Sequence, residues 1–169
     1  MSTFTGESGY STLLNLTKLD AFISETLRMY APLNEHNRQV TAPEGVVLPT
    51  EPPLRLPHKA VIAVPVFVVQ RDEDYWQDPL KFDMTRFYPE NRANIKSCSY
   101  MPFGVGPRNC VGLRFALLEL KLALAHLLLK YQVSPGPKTR EYPPKFKRHF
   151  IFVQLAHNDF KLDARAATC

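Results

Sequence analysis

The sequence predicts a mainly α-helical fold with a small β-sheet. Two long helical patterns dominate the 169 residues, and the segments between and after them contain only short runs that suit strands. Neither an internal repeat nor a shift in composition divides the chain. Residues 1–12 are rich in Ser, Thr and Gly and are predicted to be a flexible N-terminus, so residues 13–169 are predicted to form one domain.

The first helix is predicted from about Leu14 to Tyr30. Leucine or isoleucine recurs at helical spacing along it, at positions 16, 19, 23 and 27. The sequence Thr17-Lys18-Leu19-Asp20 resembles a capping box at the start of this helix. Pro32 is predicted to stop it, because a proline cannot continue the helical hydrogen bonding.

The centre of the chain is predicted to consist of short strands and loops. Arg38–Thr41 reads as a short strand, and the five prolines between residues 43 and 57 exclude a central strand or a helix there. Ala60–Val64 is predicted to be a buried strand because it is rich in β-branched residues. Residues 70–99 are predicted to be mostly irregular, and a loop of that length in a compact domain usually has a function.

A second helix is predicted from about Leu113 to Tyr131, followed by a strand at His149–Leu155. Apolar residues lie nearly all round this helix, which is typical of a helix in the core. Its few charged or titratable members are Arg114, Glu119, Lys121, His126 and Lys130.

Charge and cysteine content exclude several classes of protein. The formal net charge is +5, with the basic residues scattered, which indicates a solvated surface or a docking face for an acidic protein. No basic block alternates with aromatic residues, so nucleic acid is not a predicted partner. Cys98, Cys110 and Cys169 fit neither a disulfide framework nor a zinc site, which favours a reducing compartment.

The sequence contains neither a signal peptide nor an apolar run long enough to span a membrane. The chain as written is therefore predicted to be soluble or at most peripherally bound to a membrane. The sequence does not indicate the cellular compartment of the chain.

The segment from Phe103 to Gly112 carries the strongest functional pattern. Gly104 and Gly106 permit a tight turn with positive φ and leave room for a flat ligand, and Arg108 suits a carboxylate group of such a ligand. Cys110 directly precedes the second helix, whose positive N-terminal end favours a thiolate. Gly112 lets the start of that helix approach the ligand closely. The alternative is an ordinary Gly-Pro turn with a small buried cysteine.

The full spacing Phe-x-x-Gly-x-Arg-x-Cys-x-Gly resembles the haem-binding loop of the cytochrome P450 superfamily. A second match is Glu25-Thr26-Leu27-Arg28, which resembles the E-x-x-R helix of that family. Arg86 stands where the family places a third member of a buried charge network, and Arg38 where it often places a second arginine for the propionates. The departures include Ala31-Pro32, Gln70-Arg71-Asp72 and Met84-Thr85-Arg86-Phe87, in place of the common Pro-Pro, His-Arg-Asp and Pro-Glu-Arg-Phe.

The resemblance implies the following roles. Cys110 would be the axial, catalytic ligand of the iron of haem b, Arg108 and Arg38 would bind the propionates, and Phe103 would shield the thiolate. The glycines of the loop would let the haem lie against it. A structural network would consist of Glu25, Arg28 and Arg86, pinning the irregular segment to the first helix.

The resemblance also implies a fold and an activity. The fold would be the C-terminal, proximal part of the cytochrome P450 fold, carrying the haem loop and truncated at its start. The activity would be monooxygenation of a small hydrophobic organic substrate by O2, with NADPH-derived electrons from a reductase or a ferredoxin-type protein. A complete family member would be anchored in the endoplasmic reticulum membrane facing the cytosol. An acidic electron donor would dock on basic residues near the loop, namely Lys81, Arg92, Lys96, Arg114 and Lys121.

The oxygen-handling run Ala/Gly-Gly-x-Asp/Glu-Thr of the family is absent from the sequence. Three hypotheses follow: an enzyme segment that works within a longer polypeptide, a non-catalytic haem-binding or inert remnant, or an interaction module with a structural cysteine.

Overall fold

A computed structural model describes residues 12–13, 15–137, 146–147, 154–155 and 160–164. Its helices are α1 (Thr17–Tyr30), the single turn α2 (Val66–Val69) and α3 (Leu113–Lys130), with 3-10 turns at Met84–Phe87, Arg92–Asn94 and Gly106–Arg108. Its strands are β1 (His36–Gln39), β2 (Val46–Leu48), β3 (Leu54–Leu56), β4 (Val61–Val64), β5 (Tyr131–Pro135), β6 (Phe146–Lys147), β7 (Gln154–Leu155) and β8 (Phe160–Ala164).

The described strands form antiparallel pairs: β1 with β4, β2 with β3, β5 with β8, and β6 with β7. The strand predicted at Arg38–Thr41 lies two residues earlier, because His36 pairs with Val64 and Gln39 with Val61. The proline-rich segment contains no helix and no central strand, since β2 and β3 pair only with each other. Of the strand predicted at His149–Leu155, only residues 154–155 lie within the described residues, as β7.

Helix α1 ends as predicted but begins at Thr17, and its predicted capping box is wrong. The residue that precedes the first turn is Leu16, and no side chain caps the helix there. Leucine has no oxygen with which to accept a hydrogen bond from the free N–H groups of the first turn. The helix is held instead by its buried face, which contains Ala21, Ile23, Glu25, Leu27, Arg28 and Met29.

The irregular segment packs against α1, and together they form one of the hydrophobic clusters. Ala21 of the helix lies with Trp76 and Phe87 of the segment, and the two aromatic rings are 6.0 Å apart. A second cluster joins Ala31, at the end of α1, to Val66 and Met101. Met101 stands shortly before the Cys110 loop, so this cluster sets the position from which the loop starts.

Helix α3 has the predicted length but not the predicted burial. Only Lys121 and Ala125 are buried along it, and Phe115 is 70% exposed. The apolar residues of α3 would suit burial on all sides. The residues that the structure describes cover only the side of α3 that faces α1. On that side Nζ of the buried Lys121 lies 2.6 Å from Oδ1 of the partly exposed Asp20, so the Lys121 charge is paired and does not belong to an exposed docking face. None of the described helices is long and apolar enough to cross a bilayer.

Candidate cofactor site at Cys110

The backbone of the Cys110 loop is closed by its own hydrogen bonds. Gly104 and Gly106 have φ of +75° and +79°, values that side-chain-bearing residues rarely adopt. They turn the chain so that the Cys110 amide donates to the Phe103 carbonyl over 2.8 Å and the Asn109 amide to the Gly106 carbonyl over 3.1 Å. The loop therefore holds the cysteine backbone in place independently of any ligand.

The thiol of Cys110 is free and exposed, and the loop leaves space around it. A Cβ added to Gly106 would meet nothing within 4 Å, whereas a Cβ added to Gly112 would lie 3.9 Å from the Cys110 sulfur. Val111, beside the cysteine, is fully exposed. An accessible thiol, with a glycine close to the sulfur and an exposed apolar residue next in the chain, fits a broad, flat, largely apolar group that binds through sulfur.

Two arginines stand at the edge of this loop. Arg38 comes from β1 and donates from Nη2 to the carbonyl of Arg108 over 3.3 Å, although 70 residues separate them. Both side chains are exposed, and no carboxylate of the described residues lies within 4.0 Å of either guanidinium. Their charge is thus available for an anionic group at the loop, and two propionates match that requirement. These donors and the thiol together fit a haem.

The charge network predicted from Glu25, Arg28 and Arg86 is assembled in the structure. Arg28 donates from Nε and Nη2 to the two oxygens of Glu25 over 2.7 and 2.8 Å, and both side chains are fully buried. Arg86 Nε lies 3.6 Å from Glu25 Oε1 without a hydrogen bond, while its Nη2 donates to the Asp78 carbonyl. Because the Asp83 amide also donates to Glu25, the carboxylate ties the irregular segment to α1.

Sequence reasoning noted Gln70 only as a departure from a family pattern and missed its part in the site. Its side chain is fully buried, donates to the carbonyls of Leu27 and Arg28, and accepts from the Met101 amide. A lone buried amide leaves no periodic pattern in a sequence. Its partners are far away along the chain, so no local signal could have revealed them.

Two groups near the network have displaced pKa values. The Thr85 hydroxyl hydrogen-bonds the carboxylate of Asp83 and holds its pKa below the usual value, with help from the Thr85 amide and from the charges of Arg86 and Lys81. Burial raises the pKa of Tyr100 to about 12, against the opposing effect of a hydrogen bond with Ser24.

A cavity of about 520 Å³ lies between α1, α3 and the start of the loop. Phe103 lines it together with Tyr100, Leu113 and Leu117. Phe103 thus both lines this cavity and accepts the hydrogen bond of the Cys110 amide at its carbonyl.

Comparison with known proteins identifies the family. The family model described as Cytochrome P450 matches residues 4–160. Cytochrome P450 9e2 of Blattella germanica is 40% identical over 134 residues, which cover 79% of this chain and 25% of the relative. Cytochrome P450 3A27 of Oncorhynchus mykiss is 34% identical over 162 residues, which cover 94% of this chain and 30% of the relative. The chain thus spans between a quarter and a third of the length of these relatives, and it belongs to the cytochrome P450 family.

Proposed function

We propose that this chain is the haem-binding, C-terminal segment of a haem-thiolate monooxygenase, with Cys110 as the protein ligand of the iron. The observation that carries the proposal is the exposed Cys110 thiol on a loop closed by the Cys110–Phe103 hydrogen bond. The positive φ of Gly104 and Gly106 and the open space at Gly106 support it, because a macrocycle needs a flat approach to the sulfur.

The roles of the other residues follow from their positions. Arg108 and Arg38 would bind the propionates, and the approach of Gly112 to the sulfur would leave the start of α3 free of side-chain bulk there. Glu25, Arg28 and Arg86 would keep the irregular segment in place beneath the loop. The bound haem b would supply the activation of O2 for inserting one oxygen atom into a small hydrophobic organic substrate.

Electrons would come from NADPH through a reductase or a ferredoxin-type protein, and the complete enzyme would be held at the endoplasmic reticulum membrane facing the cytosol. A second candidate function is haem binding without turnover by this chain. The exposed apolar side of α3 favours it, because a closed, water-excluding site requires more wall than the described residues provide.

The test is to load the chain with haem, reduce it, expose it to CO and record the absorption spectrum. A thiolate-type spectrum is expected from the unmodified chain and from Cys98→Ser, which removes another exposed thiol. The Cys110→Ser variant should lose that spectrum. An unchanged spectrum in Cys110→Ser would refute the assignment. Addition of a reductase, NADPH and a substrate panel then separates the two functions, because sustained product formation that depends on Cys110 would exclude the second.

A further inference from the structure

We infer that Gln70 is a positioning residue for the Cys110 loop: its carboxamide fixes the Met101 peptide from which the loop starts. The inference rests on the proposed function, since it concerns the loop that would present the iron ligand. It assigns a role in that site to a residue 40 positions away along the chain.

The carboxamide of Gln70 spans two parts of the structure. Its Nε2 donates to the carbonyls of Leu27 and Arg28 over 3.1 and 2.9 Å, and its Oε1 accepts from the Met101 amide over 2.9 Å. The two carbonyls belong to the last turn of α1, where a helix offers them no amide partner of its own. Gln70 therefore satisfies the end of the helix and connects it to Met101 with a single side chain.

The next peptide group, which carries the Met101 carbonyl, is also held. This oxygen accepts from the Gly104 amide over 3.0 Å and from His36 Nε2 over 2.9 Å. With its N–H held by Gln70 and its oxygen by His36 and Gly104, Met101 is fixed in the peptide groups on both sides of its Cα, so the backbone there has little freedom to rotate. Two residues later, the Phe103 carbonyl accepts the hydrogen bond of Cys110, so the orientation of Met101 is passed to the cysteine through a short, closed turn.

Gln70 is itself oriented by the charge network. Arg28 Nη1 donates to the Gln70 carbonyl over 2.7 Å while the same guanidinium is paired with Glu25. The path from the network to the thiol thus runs through Arg28, Gln70 and Met101. Glu25 and Arg28 would influence the position of the iron ligand by this route. Gln70 links its two ends, because it contacts both Arg28 and Met101.

The chemistry of position 70 dictates which substitutions work. Methionine would fill the space but leave two carbonyls and one amide unpaired in a buried place. Asparagine keeps the carboxamide but withdraws it by one methylene, so it cannot reach both sides. A neutral histidine offers one N–H donor and one nitrogen acceptor, which suffice to connect α1 with Met101.

The experiment uses the full chain and has two readouts. The first is hydrogen exchange of the Met101 amide, and the second is the fraction of the haem-loaded, reduced protein that shows the thiolate-type CO spectrum. Gln70→Met should speed exchange at Met101 by roughly tenfold, the factor that corresponds to the loss of one hydrogen bond. It should also lower the thiolate fraction, whereas Gln70→His should restore both readouts. The control is Gln132→Met, the same change at an exposed position of β5, which should alter neither.

Gln70→Asn covers the case in which the methionine variant does not fold, and it should move both readouts in the same direction. The inference would be overturned if the Asn variant had the same Met101 exchange rate and the same spectrum as the unmodified chain. It would also be overturned if Gln70→His had an exchange rate and a thiolate fraction no closer to those of the unmodified chain than Gln70→Met. If the variants behave like the unmodified chain and Cys110→Ser still abolishes the spectrum, only the role of Gln70 fails. If the unmodified chain shows no thiolate-type spectrum, the proposed function fails, and the inference with it.

Discussion

Glu25 is a buried carboxylate whose two oxygens are both committed. One accepts from Arg28 Nε, and the other from Arg28 Nη2 and the Asp83 amide. Such a charge is stable inside a protein only while its partners stay in place, because an unpaired buried charge has lost its hydration without compensation. The position therefore tolerates very little change.

Glu25→Ala should lower the free energy of unfolding by about 3–5 kcal/mol, because the fully buried guanidinium of Arg28 loses its counter-charge. Chemical denaturation of the variant and the unmodified chain measures the loss. Glu44→Ala removes an exposed carboxylate and is the matched control. A loss below about 1 kcal/mol would mean that the pair behaves like an ordinary exposed ion pair.

Tyr100 gives a prediction for alkaline pH. Its pKa is raised from 10.0 to about 12 in the folded protein, chiefly by burial, so the unfolded chain releases this proton first. The neutral phenol contributes fully to stability below pH 10, and that contribution is lost as the pH rises from 10 to about 12. The unfolding free energy of the unmodified chain should fall more steeply over this range than that of Tyr100→Phe. Tyr75→Phe, at an exposed position, is the control, and equal slopes in all three proteins would contradict the prediction.

At the scale of the elements, the sequence predicted what depends on local pattern. The spacing of apolar residues located α1 and α3 to within a few residues, and prolines marked the segment without a central strand. The capping box was wrong because the first turn starts at Thr17, which leaves Leu16 at the cap. The burial of α3 was wrong because burial is decided by the neighbours of a helix, which periodicity does not reveal. The role of Gln70 was missed for the same reason, because its partners lie on α1 and just before the Cys110 loop, far away along the chain.

The exposed side of α3 has a consequence for behaviour in solution. A large apolar patch promotes association, and Phe115, Leu122 and Leu129 are all exposed on this helix. Phe115→Lys should reduce self-association, measured by light scattering, while it changes the free energy of unfolding by no more than about 0.5 kcal/mol. Ala125→Lys, at a buried position of the same helix, should destabilise the chain instead. A large stability loss in Phe115→Lys would show that the ring is covered in solution.

At the scale of the whole molecule, the exposed basic residues predict where an acidic electron donor would dock if the proposed function holds. The four residues Lys81, Arg92, Lys96 and Arg114 are exposed. Arg92 and Lys96 line the cavity beside the start of the Cys110 loop, and Arg114 lies in the first turn of α3. Lys121 does not belong to this set, because its side chain is buried and paired with Asp20.

Reversing Lys96 and Arg114 together to Glu should slow electron transfer from an acidic donor at low salt, and the difference should shrink as the ionic strength rises, because salt screens exposed charges. Stopped-flow reduction of the haem-loaded chain measures the rate. Arg55→Glu, in the β2–β3 hairpin, makes half of that change in net charge and is the control for charge reversal outside the docking face. An unaffected rate at low salt in the double variant would exclude this docking face.

The ion pair between Lys121 and Asp20 also affects the rotation of α3 about its own axis. A helix that is apolar nearly all round can turn about its own axis with little change in the apolar area that it buries, so hydrophobic packing alone does not choose one orientation. Lys121 is the charged residue of α3 that is buried, and its ammonium group reaches the Asp20 carboxylate in the observed rotation of the helix. The pair thereby favours one rotation of α3 about its axis relative to α1. Since Cys110 lies just ahead of α3, that rotation also decides which way the chain leaves the helix toward the sulfur.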